Sequence, residues 1–449
     1  MPTSHITPQV TWRTHLSLAL LALVYIFAYI DRQVISILIE PIKNEFNASD
    51  TEIGLLTGLA FGLLYAVMGI PVGRLADKHN RRNIVAIGCG LWSLATLGCG
   101  LATQYWQLLI ARMSVAVGEA GGMAPSISLI SDLYPPKRRS LAISIFMMGP
   151  SLGVLLGLSI GGLIAQHYGW RATFLAFGLP GILLSLIVYV LVKEPLRGAF
   201  EPTAQAVAKP APSAAKVPQE SLIRQLLRLW KLKPLRHVAI GCGIAAVSGY
   251  GYAVWAPTYF MRTHGMSIAH AGLVFGLASG LGAVSGAIFS GWLSDKLCLR
   301  DSRWQLGLPT LGVLIALPLG VAIFVWPSQG FWSVGGIHVP EAMGFVLLFS
   351  FFCSWWPSLS YSAVSQMVLP SERGVGLALL NLFITLLGAG MGPLITGGLS
   401  DYFAHTHGAD GLRWALASIV MLMSFSVMFL GSSLNPYQKR LKDLQPAFA

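Results

Sequence analysis

Charge is scarce in this chain: of 449 residues, only 11% are Asp, Glu, Lys or Arg, while 54% are hydrophobic. A soluble fold of this length would need far more charge to cover its surface, so the apolar excess must face lipid. The mean hydropathy of +0.66 fits a polytopic membrane protein. Cysteine is scarce too. Cys89, Cys99, Cys242, Cys298 and Cys353 lie in or beside apolar runs without paired loop spacing, which excludes a disulfide framework and a zinc site. HExxH, GxSxG and Walker loops are missing, and the histidines form no ligand cluster. An enzyme of those classes, a self-contained ATP-driven pump and a bound metal or cofactor are therefore not expected.

What the chain does have is apolar length. Twelve candidate spans cover residues 16–39, 52–76, 84–101, 106–133, 140–166, 173–192, 237–261, 269–293, 306–326, 341–368, 375–400 and 414–434. Each is long enough for roughly 30 Å of hydrocarbon. Glycine is abundant and scattered through these runs, as expected where helices pack closely in a bilayer. The first fifteen residues are polar, and the run after them is too long for a signal-peptide core, so it should remain as the first span.

The net charge of +12 invites a nucleic-acid reading, but the basic residues are distributed by loop. With the amino terminus in the cytoplasm, 24 of the 30 Lys and Arg lie inside, four outside (Lys43, Arg171, Arg262, Arg413) and two within spans (Arg32, Arg112). That bias is topological and places both termini in the cytoplasm, with no nucleic-acid partner. Compact loops and the lack of an organelle signal favour a bacterial inner membrane.

The only long connection, 193–236, separates an amino-terminal bundle (1–192) from a carboxy-terminal one (237–449). Its 201–218 stretch, rich in Ala, Pro, Gln and Lys, reads as a disordered linker. After it, Leu222, Ile223, Leu226, Leu227, Leu229 and Trp230 repeat at helical spacing with Arg224, Arg228 and Lys231 opposite, the pattern of an interfacial helix on an anionic leaflet. The halves also echo each other. Gly73-Arg-Leu-Ala-Asp77-Lys78 recurs as Gly291-Trp-Leu-Ser-Asp295-Lys296 at an offset of 218, Arg139 matches Arg373 at 234, and Gly161-Gly162 matches Gly397-Gly398 at 236. The growing offset puts extra residues between the eighth and tenth spans of the second half. The expected fold is all-α: twelve transmembrane helices in two pseudo-symmetric six-helix bundles, the architecture of a secondary transporter.

At these residues the chain resembles the major facilitator superfamily. Gly73, Asp77, Lys78, Arg81 and Arg82 fit its loop signature, with Asn80 where a glycine is usual. Gly149-Pro150, Gly153, Gly157 and Gly161-Gly162 fit its fifth-span pattern. Tyr29-Ile-Asp31-Arg32, Asp77-Lys-His-Asn80-Arg81, Arg112 with Gly118-Glu119-Ala120, and Lys193-Glu194-Pro195-Leu-Arg197-Gly198 look like the Spinster branch. That resemblance implies transport of lysophospholipids or sphingosine-1-phosphate, in some members with proton coupling.

The charged residues inside spans carry the functional expectation. A buried arginine or carboxylate costs at least ~2.5–3.5 kcal/mol in hydrocarbon, so it should turn toward protein or water. Arg112 and Glu119 are seven residues apart, hence on one helical face and roughly 10 Å apart. Asp31 lies about 22 Å along the first span, in its outer half, at the depth of Arg112. In the superfamily's arrangement both spans line the central cavity. Glu119 and Asp31 are then the proton-coupling candidates, because a carboxylate is held ionised beside a guanidinium and neutralised in a dry cavity. Arg112 binds a phosphate or, when the site is empty, a carboxylate. Arg32 and Tyr29 complete the first half's substrate set; Arg32 with Asp31 is alternatively a local structural pair, and Glu119 alternatively interhelical glue.

The second half offers Tyr250, Tyr252, Trp255 and Tyr259 around Gly249, Gly251 and Pro257, and Trp355, Trp356 and Tyr361 around Pro357. Of these, Tyr250, Trp255, Tyr259, Trp355 and Trp356 are candidates for an apolar substrate path, with packing the competing reading. Asp77, Arg81, Arg138, Arg139 and Asp295 form a candidate conformational latch, with Asp77 capping a helix or pairing with Arg138 or Arg139. The functional expectation is a monomeric, proton-coupled carrier of lysolipid-like amphiphiles, whose partners are substrate, protons and membrane lipids. A proton-coupled carrier of small organic anions or drugs is the alternative, and a scramblase or lipid sensor the reading from another class.

Overall fold

Long apolar helices dominate the computed structural model, which describes residues 10–197, 200, 222–334, 337–369 and 372–444. Among the described residues, ten helical runs are long and apolar enough to cross a membrane. Two of them, Pro136–Leu191 and Arg373–Leu444, are long enough to cross twice and are broken near their middles, at Gly169 (φ +84°) and Gly408 (φ +57°). Positive φ is where glycine is favoured, so these two positions reverse the chain and divide the two runs into four spans. The disordered-linker expectation for 201–218 falls outside the described residues.

The chain divides into two compact units. The first comprises Met1–Arg32, Leu64–Gly157 and Arg171–Gln219. Within it the first span (Trp12–Ile37) runs as far as Arg32, and the third (Arg81–Leu101) packs on the fourth (Tyr105–Leu133). That crossing is close: a Cβ on Gly118 would lie 2.6 Å from the Trp92 amide nitrogen, and one on Gly88 2.8 Å from the Gly118 carbonyl. The fourth span is not the uninterrupted helix its hydropathy suggests. It stops at Glu119, turns through Ala120–Gly122, and restarts as Met123–Leu133.

The second unit comprises Gln33–Leu63, Leu158–Trp170 and Glu220–Ala449. It gathers the seventh span (Lys233–His264), the eighth (Ile268–Cys298), the ninth (Trp304–Val325), the tenth (Ala342–Met367) and the two spans of Arg373–Leu444. The start of the second span, Asp50–Gly54 followed by a π-helical turn at Leu55–Leu59, packs on the eleventh span, whose own π-helical segment is Ile384–Met391. Gly54, Gly58 and Gly62 line this contact, where added Cβ atoms would come within 2.5–2.8 Å of the Pro393 carbonyl, the Gly390 carbonyl and Gly390 backbone atoms. Between the ninth and tenth spans stands an antiparallel hairpin, Phe331–Val334 paired with Ile337–Pro340. It occupies the region where the growing repeat offset places extra residues.

The amphipathic helix Leu222–Lys231 exists, and it docks on protein. Leu229 is buried, the Trp230 ring stacks on Phe383 at 5.1 Å, and Arg228 pairs with Glu372 at 2.5 Å. Leu227 remains exposed. One face is therefore held by the eleventh span, which narrows the surface left to meet a leaflet.

Candidate functional site

Three charged side chains are buried together in the first unit: Asp31, Arg112 and Glu119 are each about 2% exposed. Arg112 Nη1 donates to the Asp31 carbonyl oxygen at 2.9 Å and Nη2 to that of Arg32 at 3.4 Å. Arg112 thus grips the backbone of the first span at the point where Asp31 and Arg32 leave it. The Asp31 carboxylate instead accepts from the Thr96 hydroxyl at 3.1 Å through Oδ2, and its Oδ1 has no protein partner.

Glu119 is paired with Arg32, from Nε to Oε2 at 2.5 Å. The sequence reading put Asp31 at the depth of Arg112 and named no partner for Glu119, because spacing along one helix cannot choose the partner on another. The guanidinium of Arg32 also lies 4.9 Å from the Tyr29 ring centre and 4.5 Å from that of Tyr65, so two aromatic faces and one carboxylate surround it. Aromatic faces attract a cation, more strongly once it is desolvated.

The fifth-span glycines make room for this arrangement. A Cβ on Gly149 would press the Tyr25 ring at 2.7 Å, and one on Gly153 would meet Tyr29 and the Ile26 carbonyl. Tyr25 stacks on Phe146 at 4.5 Å and meets Tyr29 edge-on at 5.2 Å. A small cavity adjoins the pair, lined by Tyr25, Arg32, Tyr65, Trp92, Glu119 and Ser126 among others. Glu119 Oε1, Trp92 Nε1 and Ser126 Oγ have no protein hydrogen-bond partner. Tyr65, Trp92, Thr96 and Ser126 were not singled out from sequence, since uncharged residues in an apolar run carry no signal. The site joins a cation held by a breakable ion pair to polar groups in an otherwise apolar wall, an arrangement suited to binding an anion.

The family model of the Major Facilitator Superfamily matches residues 21–393. The chain belongs to that superfamily. An MFS-type efflux pump of Mycolicibacterium smegmatis is 32% identical over 93% of this chain and 90% of its own length. The sphingosine-1-phosphate transporter SPNS2 of Danio rerio is 23% identical over 90% of this chain and 80% of its own. A crystal structure of a bacterial homologue of the human lysosomal transporter Spinster, inward-facing and unoccupied, superimposes with a TM-score of 0.81 at 28% identity, covering 95% of this chain and 98% of that one. This is a multi-pass, Spinster-like transporter of the Major Facilitator Superfamily, and its family and fold are those of transporters.

In this Spinster-like transporter the loop signature is organised around Arg81 rather than Asp77. Arg81 is 1% exposed and reaches Asp132 at 2.5 Å, Glu194 at 2.7 Å and the Ser128 hydroxyl at 2.8 Å. Asp77, Arg138 and Asp295 are exposed, and Asp77 closes on neither Arg138 nor Arg139 among the described residues. The expected Asp77 latch contact is therefore not formed here, and Asp77 stays exposed in the last turn of its helix. Glu194, noted only as part of the Spinster likeness, and Asp132, not noted at all, supply the carboxylates.

The aromatic residues of the second half divide. Trp255 is buried and donates its indole N–H to the Pro393 carbonyl at 2.9 Å. Tyr259 is buried, with its hydroxyl 3.5 Å from the Ile323 carbonyl. Trp355 packs with Leu308 and Leu359, and Trp356 is 7% exposed. These four are buried in the second unit, whereas Tyr250 is exposed.

A second ionic cluster, also unread from sequence, lies within the second unit at residues 40–51. Asp50 receives both Arg262 terminal nitrogens at 2.8 and 2.9 Å, Lys43 at 2.5 Å and the Ser400 hydroxyl at 2.6 Å. Arg262 reaches Glu40 through Nε at 2.5 Å. Asp401 accepts the amides of Asp50 at 3.1 Å and Thr51 at 2.8 Å, so a carboxylate of the eleventh span caps the second-span helix. The available signal was Arg262 itself, one of only four basic residues assigned outside, and Asp50 in the capping box begun by Ser49.

Proposed function

We propose that this transporter moves lysophospholipid-like amphiphiles coupled to protons by alternating access of its two six-helix halves, in a bacterial inner membrane with both termini cytoplasmic. The observation that carries the reading is the buried Arg32–Glu119 pair between Tyr29 and Tyr65. A phosphate head group and the Glu119 carboxylate compete for the same guanidinium. Substrate is favoured when Glu119 takes up a proton and lets go, and proton release restores the ion pair. Arg112 fixes the first span so that Arg32 and Asp31 keep their places, and Asp31, with one carboxyl oxygen unbonded, is the second proton-accepting candidate. The apolar lining beside the pair, which includes Val24 and Ala28, suits a tail. The sphingosine-1-phosphate transporter among the relatives supports the substrate class.

The efflux-pump relative favours a second reading, a carrier of hydrophobic drugs or small organic anions. A chain-length series of lysophospholipids on purified protein separates the two. If a lipid tail is bound, affinity rises roughly fourfold per methylene, since each buried CH2 contributes about 0.8 kcal/mol. Head-group-dependent binding should be lost in Arg32→Ala, and Glu119→Gln should bind alike at acid and neutral pH. Affinity independent of tail length would move the substrate to small anions, and unchanged pH dependence in Glu119→Gln would remove it as the proton carrier.

A further inference from the structure

A cavity of about 490 Å³ lies in the second unit between the start of the seventh span and the end of the last helix (Met423–Leu444), apart from every residue of the Arg32 site. Lys233, Lys439 and Arg440 line it against one carboxylate, Asp443, so its wall carries a net charge of two positives. Lys233 and Lys439 are exposed and form no ion pair among the described residues. Arg440 is held in place by donating Nε to the Met367 carbonyl at 3.1 Å. Pro234 and Pro436 make part of the surface apolar. The seventh-span helix begins here with no side-chain cap, so its positive dipole end adds to the three cations.

We propose that this cavity holds the phosphate of an anionic phospholipid. The last helix argues for a lipid over a soluble anion. Below Lys439 its Asn435, Ser432, Met428 and Phe425 follow at helical spacing on one face, all four exposed. Met428 is 67% and Phe425 52% exposed. Eleven residues separate Lys439 from Met428, about 16 Å of helix, so a phosphate at Lys439 sets its acyl chains against an apolar strip within the hydrocarbon. Basic pockets between helix ends at the inner face are suited to such head groups. The docked amphipathic helix Leu222–Lys231 runs directly into the cavity through Leu232, and a lipid there ties the linker's end to the last helix.

The test compares full-length protein in phosphatidylcholine nanodiscs with and without phosphatidylglycerol, reading retained lipid by native mass spectrometry and unfolding by thermal scan. Wild type should retain phosphatidylglycerol selectively and unfold at a higher temperature with it. Lys233→Gln/Lys439→Gln should lose that selectivity by roughly thirtyfold, as expected for two basic residues near an anionic surface, while unfolding like wild type in phosphatidylcholine alone. Equal retention of both lipids by wild type, or undiminished selectivity in the double variant, would overturn the proposal. Thermal protection by inorganic phosphate equal to that by long-chain phosphatidylglycerol would overturn the lipid assignment in favour of a free anion.

Discussion

Glu119 keeps none of its side chain exposed, and it is paired there with Arg32, whose side chain is 21% exposed. Removing one member of such a pair strands the other. Arg32→Ala should destabilise the protein by about 3 kcal/mol, at the low end for broken buried pairs because Arg32 still touches solvent. Adding Glu119→Gln should restore more than half of that loss, because no charge is then left alone. Denaturation of the two single variants and the double variant measures this, and a double variant no more stable than Arg32→Ala would show that the carboxylate is held by something else. Residues such as Glu119, Asp31 and Arg112 are legible in sequence because charge inside an apolar run is costly and needs a reason. Their pairing is not legible. Arg112 and Arg32 differ by which neighbouring helix each faces, and Tyr65, Trp92 and Ser126 differ in no way from packing residues until the helices are assembled.

At the scale of elements, the crossing of the second and eleventh spans is unusual because both helices carry π-helical turns where they meet. The widened turns and the lack of side chains at Gly54, Gly58 and Gly62 let backbone approach backbone. Gly58→Val would push a side chain into the Gly390 carbonyl, which a Cβ alone already meets at 2.6 Å. Its expected effect is to loosen this contact and with it the neighbouring ionic cluster, so that a cysteine replacing Thr51 reacts several-fold faster with a membrane-impermeant maleimide. Unchanged labelling in a folded variant would mean that the crossing does not hold the end of the second span closed. Glycine spacing announces close packing in the sequence, yet it does not say which helix approaches, and neither π-helical turn leaves a mark there. The break after Glu119 does have a visible cause, Gly121-Gly122, outweighed in the sequence reading by an unbroken apolar run. The hairpin Phe331–Pro340 is visible only as surplus length between repeats, since four-residue strands are too short for alternation to stand out.

The whole molecule was the most legible level in one respect and the least in another. Twelve apolar runs and a basic bias between loops follow from lipid as solvent, so span number comes directly from composition and order, while the family likeness rests on the residues of the repeated loop motif. The compact units do not follow the repeat. Residues 33–63 and 158–170 cluster with the carboxy-terminal part because their contacts, Asp50 with Arg262 and Asp401, Gln33 with Ala253, and Gln166 with the Ala269 amide, are set by packing at helix ends. Under the proposed alternating access these contacts must part in every cycle, which makes them the place to arrest it. A Cβ at Gly398 would lie 3.8 Å from Thr51 Oγ1, near enough for cysteines at the two positions to bond after a small side-chain adjustment. With the five native cysteines replaced, Thr51→Cys/Gly398→Cys should cross-link on oxidation, abolish transport in proteoliposomes and regain it on reduction, while each single cysteine variant is unaffected by oxidant. Transport that continues in the fully cross-linked protein would mean that substrate passes without these ends separating, the behaviour of a passive scramblase rather than an alternating-access carrier.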